Sequence, residues 1–144
     1  MREKEFRGIS EHFGMMEYGS DFKLNNVNVG GGEMEQWAFV NGNKIITKTF
    51  GEYISHIDSN NRKIFEGDIV KYTSHSGYLL DSFVAEIKWI ESLACFGYSK
   101  IEIEKNGFYD VFIHPFSEHD EFEIDILPYF EIVGNIHENA DLLN

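Results

Sequence analysis

The sequence predicts an all-β, or mainly β, protein made of short-stranded hairpins. Two Asn-Gly dipeptides, Asn41-Gly42 and Asn106-Gly107, stand between apolar runs. A two-residue type I′ hairpin turn needs φ > 0 at both central positions, and Asn-Gly supplies it with little strain. Residues 82–90 and 98–105 alternate apolar with polar side chains, the period of a strand with one buried face. No segment of ten or more residues carries a convincing 3.6-residue period. These three observations leave little room for helix.

The elements follow in order. Residues 2–7 alternate around Phe6 and predict a first strand. Residues 10–35 show no period: Met15, Met16, Tyr18, Phe22 and Leu24 are scattered among Gly and Asn. The run Gly30-Gly31-Gly32 reads as a flexible loop. It does not read as a phosphate cradle, because the Lys-Ser/Thr of a P-loop is missing and so is the strand–helix frame of a dinucleotide fingerprint. Residues 36–40 and 43–50 then flank the first Asn-Gly turn.

Gly51 to Tyr72 is the stretch around which the chain is organised. Tyr53, Ile54 and Ile57 form an apolar run, and Asp58-Ser59-Asn60-Asn61 a polar turn. Asp and Asn favour turns because their side chains hydrogen-bond the local backbone and they tolerate left-handed conformations. Ile64 and Phe65 follow, then a Glu66-Gly67-Asp68 corner and the strand formers Ile69, Val70 and Tyr72. Gly67 suits the positive φ of such a corner.

Residues 74–77 read as a turn. In the strand 82–90, Phe83, Ala85, Ile87 and Trp89 share one face while Glu86 and Lys88 share the other. In 98–105, Ile101 and Ile103 oppose Lys100, Glu102 and Glu104, and Asn106-Gly107 leads into a strand over 108–114. Pro115 ends it before the polar loop 117–121. Phe122, Ile124 and Ile126 alternate with acids, Pro128 breaks the run, and 129–133 is a last strand. Asn139 is placed to cap a short helical turn over 140–143.

At 144 residues the chain has the length of one ordinary domain and can bury a core without metal or disulfide. The expected arrangement is a single domain over 1–144, with an N-terminal β region at 1–50 beside a small barrel-like (SH3-like) region at 51–144. Thirteen Phe and seven Tyr favour an aromatic-rich β core. The formal net charge is −13, which repels phosphate backbones and anionic membranes unless the few cations cluster. Cys95 is the single cysteine, so no internal disulfide and no cysteine-based zinc cluster forms; its neighbours Leu93, Ala94 and Phe96 predict a small buried hydrophobe. The charged start of the chain lacks the apolar core of a signal peptide, and no run approaches 18 apolar residues. The expected location is the cytoplasm.

Three segments resemble one known family. Arg2-Glu3-Lys4-Glu5-Phe6-Arg7 is similar to an RE-x-KFR opening, with Lys4 and Glu5 exchanged in character, and Gly8-Ile9-Ser10 replaces the usual Ala-Trp-Asp. Residues 59–70 are similar to D-x-NGKEIYEGDIV, with Asn61-Arg62 in place of Asn-Gly. Residues 130–143 are similar to EVIGNIYENPELL, and residues 84–89 fall where that pattern has G-x-V-x-W. In order along the whole chain, these motifs resemble the YopX family of phage and prophage proteins. The resemblance implies a mainly β fold, a phage or prophage origin within a bacterial host, and no assigned activity. Its recurrent residues are turn formers and core residues rather than a catalytic set.

The chemically suggestive clusters are weak. His114 and His119 with Glu118 and Asp120 straddle Pro115 in a loop, whereas a zinc site needs three or four converging ligands. Across 117–125, Glu118, Asp120, Glu121, Glu123 and Asp125 lack the glycine of an EF-hand loop and alternate with apolar residues as the wet face of a strand would. Ser82, Ser92 and Ser99 have no nucleophile-elbow context. The sequence therefore predicts no catalytic, cofactor-binding or metal-binding residue, no cofactor and no enzyme activity. The expected role is binding: a host or phage protein as partner, together with self-association into a homo-oligomer. Membrane binding is not expected. The first alternative is a β-barrel that binds nucleic acid through a local basic face, against its overall charge. Its lysines, from Lys44 to Lys105, are dispersed singly apart from the pair Arg62-Lys63. The second alternative is a hydrolase that uses the acidic cluster.

Overall fold

The structure, a computed structural model, describes residues 4–72, 83–103, 109–115 and 129–143. Its strands are β1 (Phe6–Ile9), β2 (Met16–Gly19), β3 (Phe22–Gly30), β4 (Glu33–Val40), β5 (Asn43–Ile45), β6 (Gly51–Ile57), β7 (Lys63–Phe65), β8 (Asp68–Tyr72), β9 (Phe83–Ile90), β10 (Cys95–Ile103), β11 (Tyr109–Pro115) and β12 (Phe130–Asn135). Helical structure among the described residues is confined to short 3-10 turns. The sheets are antiparallel and curled, so the protein is all-β as the sequence predicts. The chain divides into two compact units, Met1–Ser55 and His56–Asn144.

In the first unit, β1 pairs with β2 and with β6, and a separate three-stranded sheet runs in the order β3-β4-β5. Asn41 and Gly42 have φ of 53° and 81° and close the β4–β5 hairpin, with Val40 opposite Asn43. This is the positive-φ pair that the Asn-Gly reading requires. Ala38, Val40 and Ile45 are buried, and Phe6, Phe22 and Phe50 pack on them. The three rings lie 4.4–5.7 Å apart between centroids, within the range where aromatic pairs attract beyond their buried area.

Two expectations about this unit are corrected. The first strand spans Phe6–Ile9, with Lys4 and Glu5 outside it, and residues 2 and 3 lie outside the described residues. The three glycines are not a loose loop but the turn of a long hairpin, with φ of 111°, 59° and 80° at Gly30, Gly31 and Gly32. Residues 10–35, which carry no readable period, hold β2, β3 and the start of β4.

In the second unit the strands β11-β10-β9-β8-β12 form one antiparallel sheet. Gly97↔Pro115 through Ile103↔Tyr109 set the β10–β11 register; the Asn106-Gly107 turn between them lies outside the described residues, as do the 74–77 turn, the acidic loop 117–121 and the 122–126 run. Tyr72, Phe83, Tyr98 and Phe130 form an aromatic cluster with ring centroids 5.0–6.2 Å apart. Phe130 is 0% exposed at its centre.

The β9 alternation holds through Ala85 and Ile87, then breaks. Trp89 is 41% exposed while Ile90 is buried. The chain turns back at the 3-10 segment Glu91–Leu93 and the left-handed Ala94. Trp89 there crosses to Phe96 edge-on at 4.9 Å and donates its Nε1–H to Glu91 at 2.8 Å. Cys95, beside this turn, is half-buried rather than enclosed.

Candidate functional site

The segments with the strongest sequence signal meet in the second unit, and they meet as a structural clasp. Asp58 is buried, and its Oδ1 accepts the N–H groups of Asn60 at 2.9 Å and Arg62 at 2.8 Å. Its Oδ2 accepts the N–H of Ile132 in β12 at 3.0 Å and lies 3.4 Å from Arg62 Nε. The Arg62 guanidinium also donates to the Ile132 carbonyl, and Ser59 N–H donates to the Phe130 carbonyl at 2.8 Å. Burial acts to raise the Asp58 pKa; the three N–H groups and the Arg62 charge outweigh it and hold the carboxyl below its usual value.

The Glu66-Gly67-Asp68 corner repeats the theme. Gly67 has φ of 93°, its N–H donates to Ile87, and its carbonyl accepts from Ile136 at 2.9 Å. Asp68 Oδ2 accepts the Phe65 N–H at 2.8 Å. At the C-terminal end, Asn135 Oδ1 accepts the N–H groups of His137 and Glu138, both at 3.0 Å. Asn139 Oδ1 accepts from Asn135 N–H at 3.2 Å, so its side chain reaches back to β12 instead of capping the 140–143 turn. These polar residues are engaged with backbone.

Of the histidines, His12 is exposed and edge-on to Phe13 at 4.6 Å, while the 117–121 loop lies outside the described residues. Among the described residues no three His, Cys, Asp or Glu side chains converge on a metal position. No helix among them is long and apolar enough to cross a membrane.

The first unit presents a different kind of surface. Beyond its core contacts at Phe22, Ala38 and Val40, the β3–β4 hairpin is solvent-exposed over most of its length. The register places Leu24 with Ala38, Asn26 with Gln36 and Asn28 with Met34 on one face. Lys23 with Phe39, Asn25 with Trp37 and Val27 with Glu35 share the other. Leu24 is 49% exposed, Val29 43% and Met34 61%. On the second face Trp37 is held in place: Lys44 Nζ sits 3.7 Å from its ring centroid and its Nε1–H donates to Glu35 at 3.0 Å. Phe13, Met15 and Tyr18 are exposed in the same unit. Leu24 and Met34 share one face of the hairpin, and exposed apolar side chains grouped on one face mark interaction surfaces more often than isolated ones do. The sequence named Met15, Tyr18 and Leu24 but missed Met34 and Trp37, whose significance lies in the strand pairing.

The curled antiparallel sheets and the motif clasp define a small all-β protein whose sequence motifs serve its own folding. The chain belongs to the YopX family: the family model, described as YopX protein, matches residues 5–144. No curated protein matches it. Among solved structures it is similar to the crystal structure of protein EF1440 from Enterococcus faecalis, at 18% identity over 100% of both chains with a TM-score of 0.50. At that identity the likeness concerns the fold alone.

Proposed function

We propose that this chain is a non-enzymatic phage or prophage accessory protein that works by binding another protein through the β3–β4 hairpin. The observation that carries the reading is the exposure of Leu24, Val29 and Met34 on a hairpin whose outer half has no core to cover. The character of the motif residues supports it, because Asp58, Gly67, Asp68, Asn135 and Asn139 are engaged in backbone hydrogen bonds or turns. A protein partner suits the charge better than a nucleic acid does: Lys44, whose ammonium lies 3.7 Å from the half-buried Trp37 ring, is paired with Glu11 at 3.0 Å.

Affinity capture from a bacterial host lysate tests the reading, with the wild type compared with a Leu24→Asp/Met34→Asp double variant. The expected result is a protein retained reproducibly by the wild type and lost with the variant. Equal retention by both, or nothing retained beyond the empty matrix, overturns it.

A further inference from the structure

Among the described residues β3 hydrogen-bonds to a strand on one edge only, that of β4. The phase of its other edge follows from two facts. Asn41 N–H donates to the Asp21 carbonyl at 2.9 Å, so position 21 bonds toward the β4 side. The Val40–Asn43 pair that closes the two-residue turn bonds toward β5, so Phe22, the partner of Val40, bonds outward. Because bonded and non-bonded positions alternate along an antiparallel ladder, the N–H and C=O groups of Phe22, Leu24, Asn26 and Asn28 face away from β4.

Natural edge strands are usually blunted by shortness, proline or charge. This one has nine residues, no proline, no acid and a single cation, Lys23. In a chain of net charge −13, an acid-free edge is a place where two identical molecules approach without strong repulsion. Screening at about 0.15 M salt confines the repulsion of the remaining charges to roughly 8 Å.

We infer that the partner at this edge is a second copy of the chain, its β3 paired antiparallel with this one about a two-fold axis at Asn26. The inference rests on the reading of the hairpin as a binding surface. A two-fold normal to a sheet keeps like faces together, so the axis passes midway between one residue and its own symmetry mate, and Asn26 is the midpoint of β3 and bonds outward. Asn26 then exchanges backbone hydrogen bonds with the partner's Asn26, and Leu24 with the partner's Asn28. On one face this gives a row of four amides, Gln36 and Asn26 followed by their symmetry mates, where amide side chains can bond across the ladder. The same face carries Leu24 toward the partner's Met34. On the other face Lys23 lies opposite the partner's Val29, with the partner's Glu33 and the partner's Glu35 one strand further out on the same side, so opposite charges face each other twice across roughly 10 Å. Both copies together form one six-stranded sheet.

Light scattering coupled to gel filtration reads the outcome at tens of micromolar chain and physiological salt. The wild type is expected at twice the 16.7 kDa of one chain, and Asn26→Pro at the single-chain mass with an unchanged circular dichroism spectrum, since its lost N–H points away from β4. A second test does not depend on that variant folding. In a Cys95→Ser background, Asn26→Cys is joined into dimers by a short thiol cross-linker. Asn28→Cys, whose copies lie about 14 Å apart in this register, is not. A monomeric wild type overturns the inference while leaving capture of a different protein by the hairpin untouched. So does a dimer that persists in folded Asn26→Pro, or cross-linking that is equal at positions 26 and 28.

Discussion

Asp58 Oδ2 accepts the backbone N–H of Ile132 at 3.0 Å across 74 positions of sequence. That bond joins the polar turn after β6 to the last strand, and it explains why the middle and the end of the chain carry the strongest motifs. An acid at 58 holds three N–H groups that would otherwise be unsatisfied, because the residues donating them leave the regular ladder: Asn60 and Arg62 in a turn, Ile132 beside the β12 irregularity at Ile132–Gly134.

Asp58→Ala is therefore expected to cost about 2–3 kcal/mol, the range for hydrogen bonds to a charged group left without their acceptor. Urea unfolding at neutral pH measures it. The pH dependence has a definite sign. The folded-state pKa lies below the ordinary value of 3.8, so the contribution is complete above that value and disappears as pH falls through the folded pKa. The wild type should lose stability on acidification below pH 4 more steeply than Asp58→Ala.

A second prediction concerns Gly134. A Cβ at this position would stand 2.7 Å from Asn139 Oδ1 and 2.8 Å from its Cγ. Gly134→Ala must therefore displace the side chain that accepts the Asn135 N–H, at a cost of about 1–3 kcal/mol. Removing the obstacle takes Asn139→Gly, because the Asn139 Cβ also lies 2.8 Å from the added methyl; the double variant should be more stable than the sum of the two single losses requires. A thermodynamic cycle from chemical denaturation measures that coupling.

Phe130 supplies a third. It is fully buried among Tyr72, Phe83 and Tyr98, and Phe130→Ala should cost about 3–5 kcal/mol. That is a large share of the roughly 5–15 kcal/mol that holds a domain folded. Thermal denaturation followed by circular dichroism should show a midpoint lowered by ten degrees or more, on the scale of several degrees per kcal/mol.

The surface variants should behave in the opposite way. Leu24→Asp and Met34→Asp alter side chains that are half exposed or more, so each should change unfolding free energy by no more than about 0.5 kcal/mol. Their effect should appear in binding alone. Equilibrium unfolding of both variants beside the wild type, at a chain concentration low enough that all three are monomeric, separates the two properties.

The parts of the fold legible in the sequence are those where local chemistry and burial agree. Asn41-Gly42 closes its hairpin, Gly67 takes its positive φ, and Ala85 and Ile87 alternate inward because one face of β9 meets the core. Legibility fails where the core ends. Residues 23–36 carry no buried side chain, so no hydrophobic period is written into them although they form two long strands. Trp89 misled for a related reason: it sits where the chain turns, and its ring packs on Phe96 at the surface instead of beneath the sheet. Asn139 looked like a helix cap because its type suits that role, whereas the nearby Asn135 N–H claims it. The candidate surface was half visible, as exposed apolar residues without a period. Its edge became apparent only once the strand phase was known.

Amide hydrogen exchange, resolved residue by residue by NMR across a dilution series of the wild type, tests the central claim most directly. The account predicts slow exchange at Leu24, Asn26 and Asn28 at tens of micromolar, with protection falling on dilution while Lys23, Asn25 and Val27, bonded to β4, remain protected. Exchange at Asn26 as fast as in an unpaired strand at every concentration would contradict it.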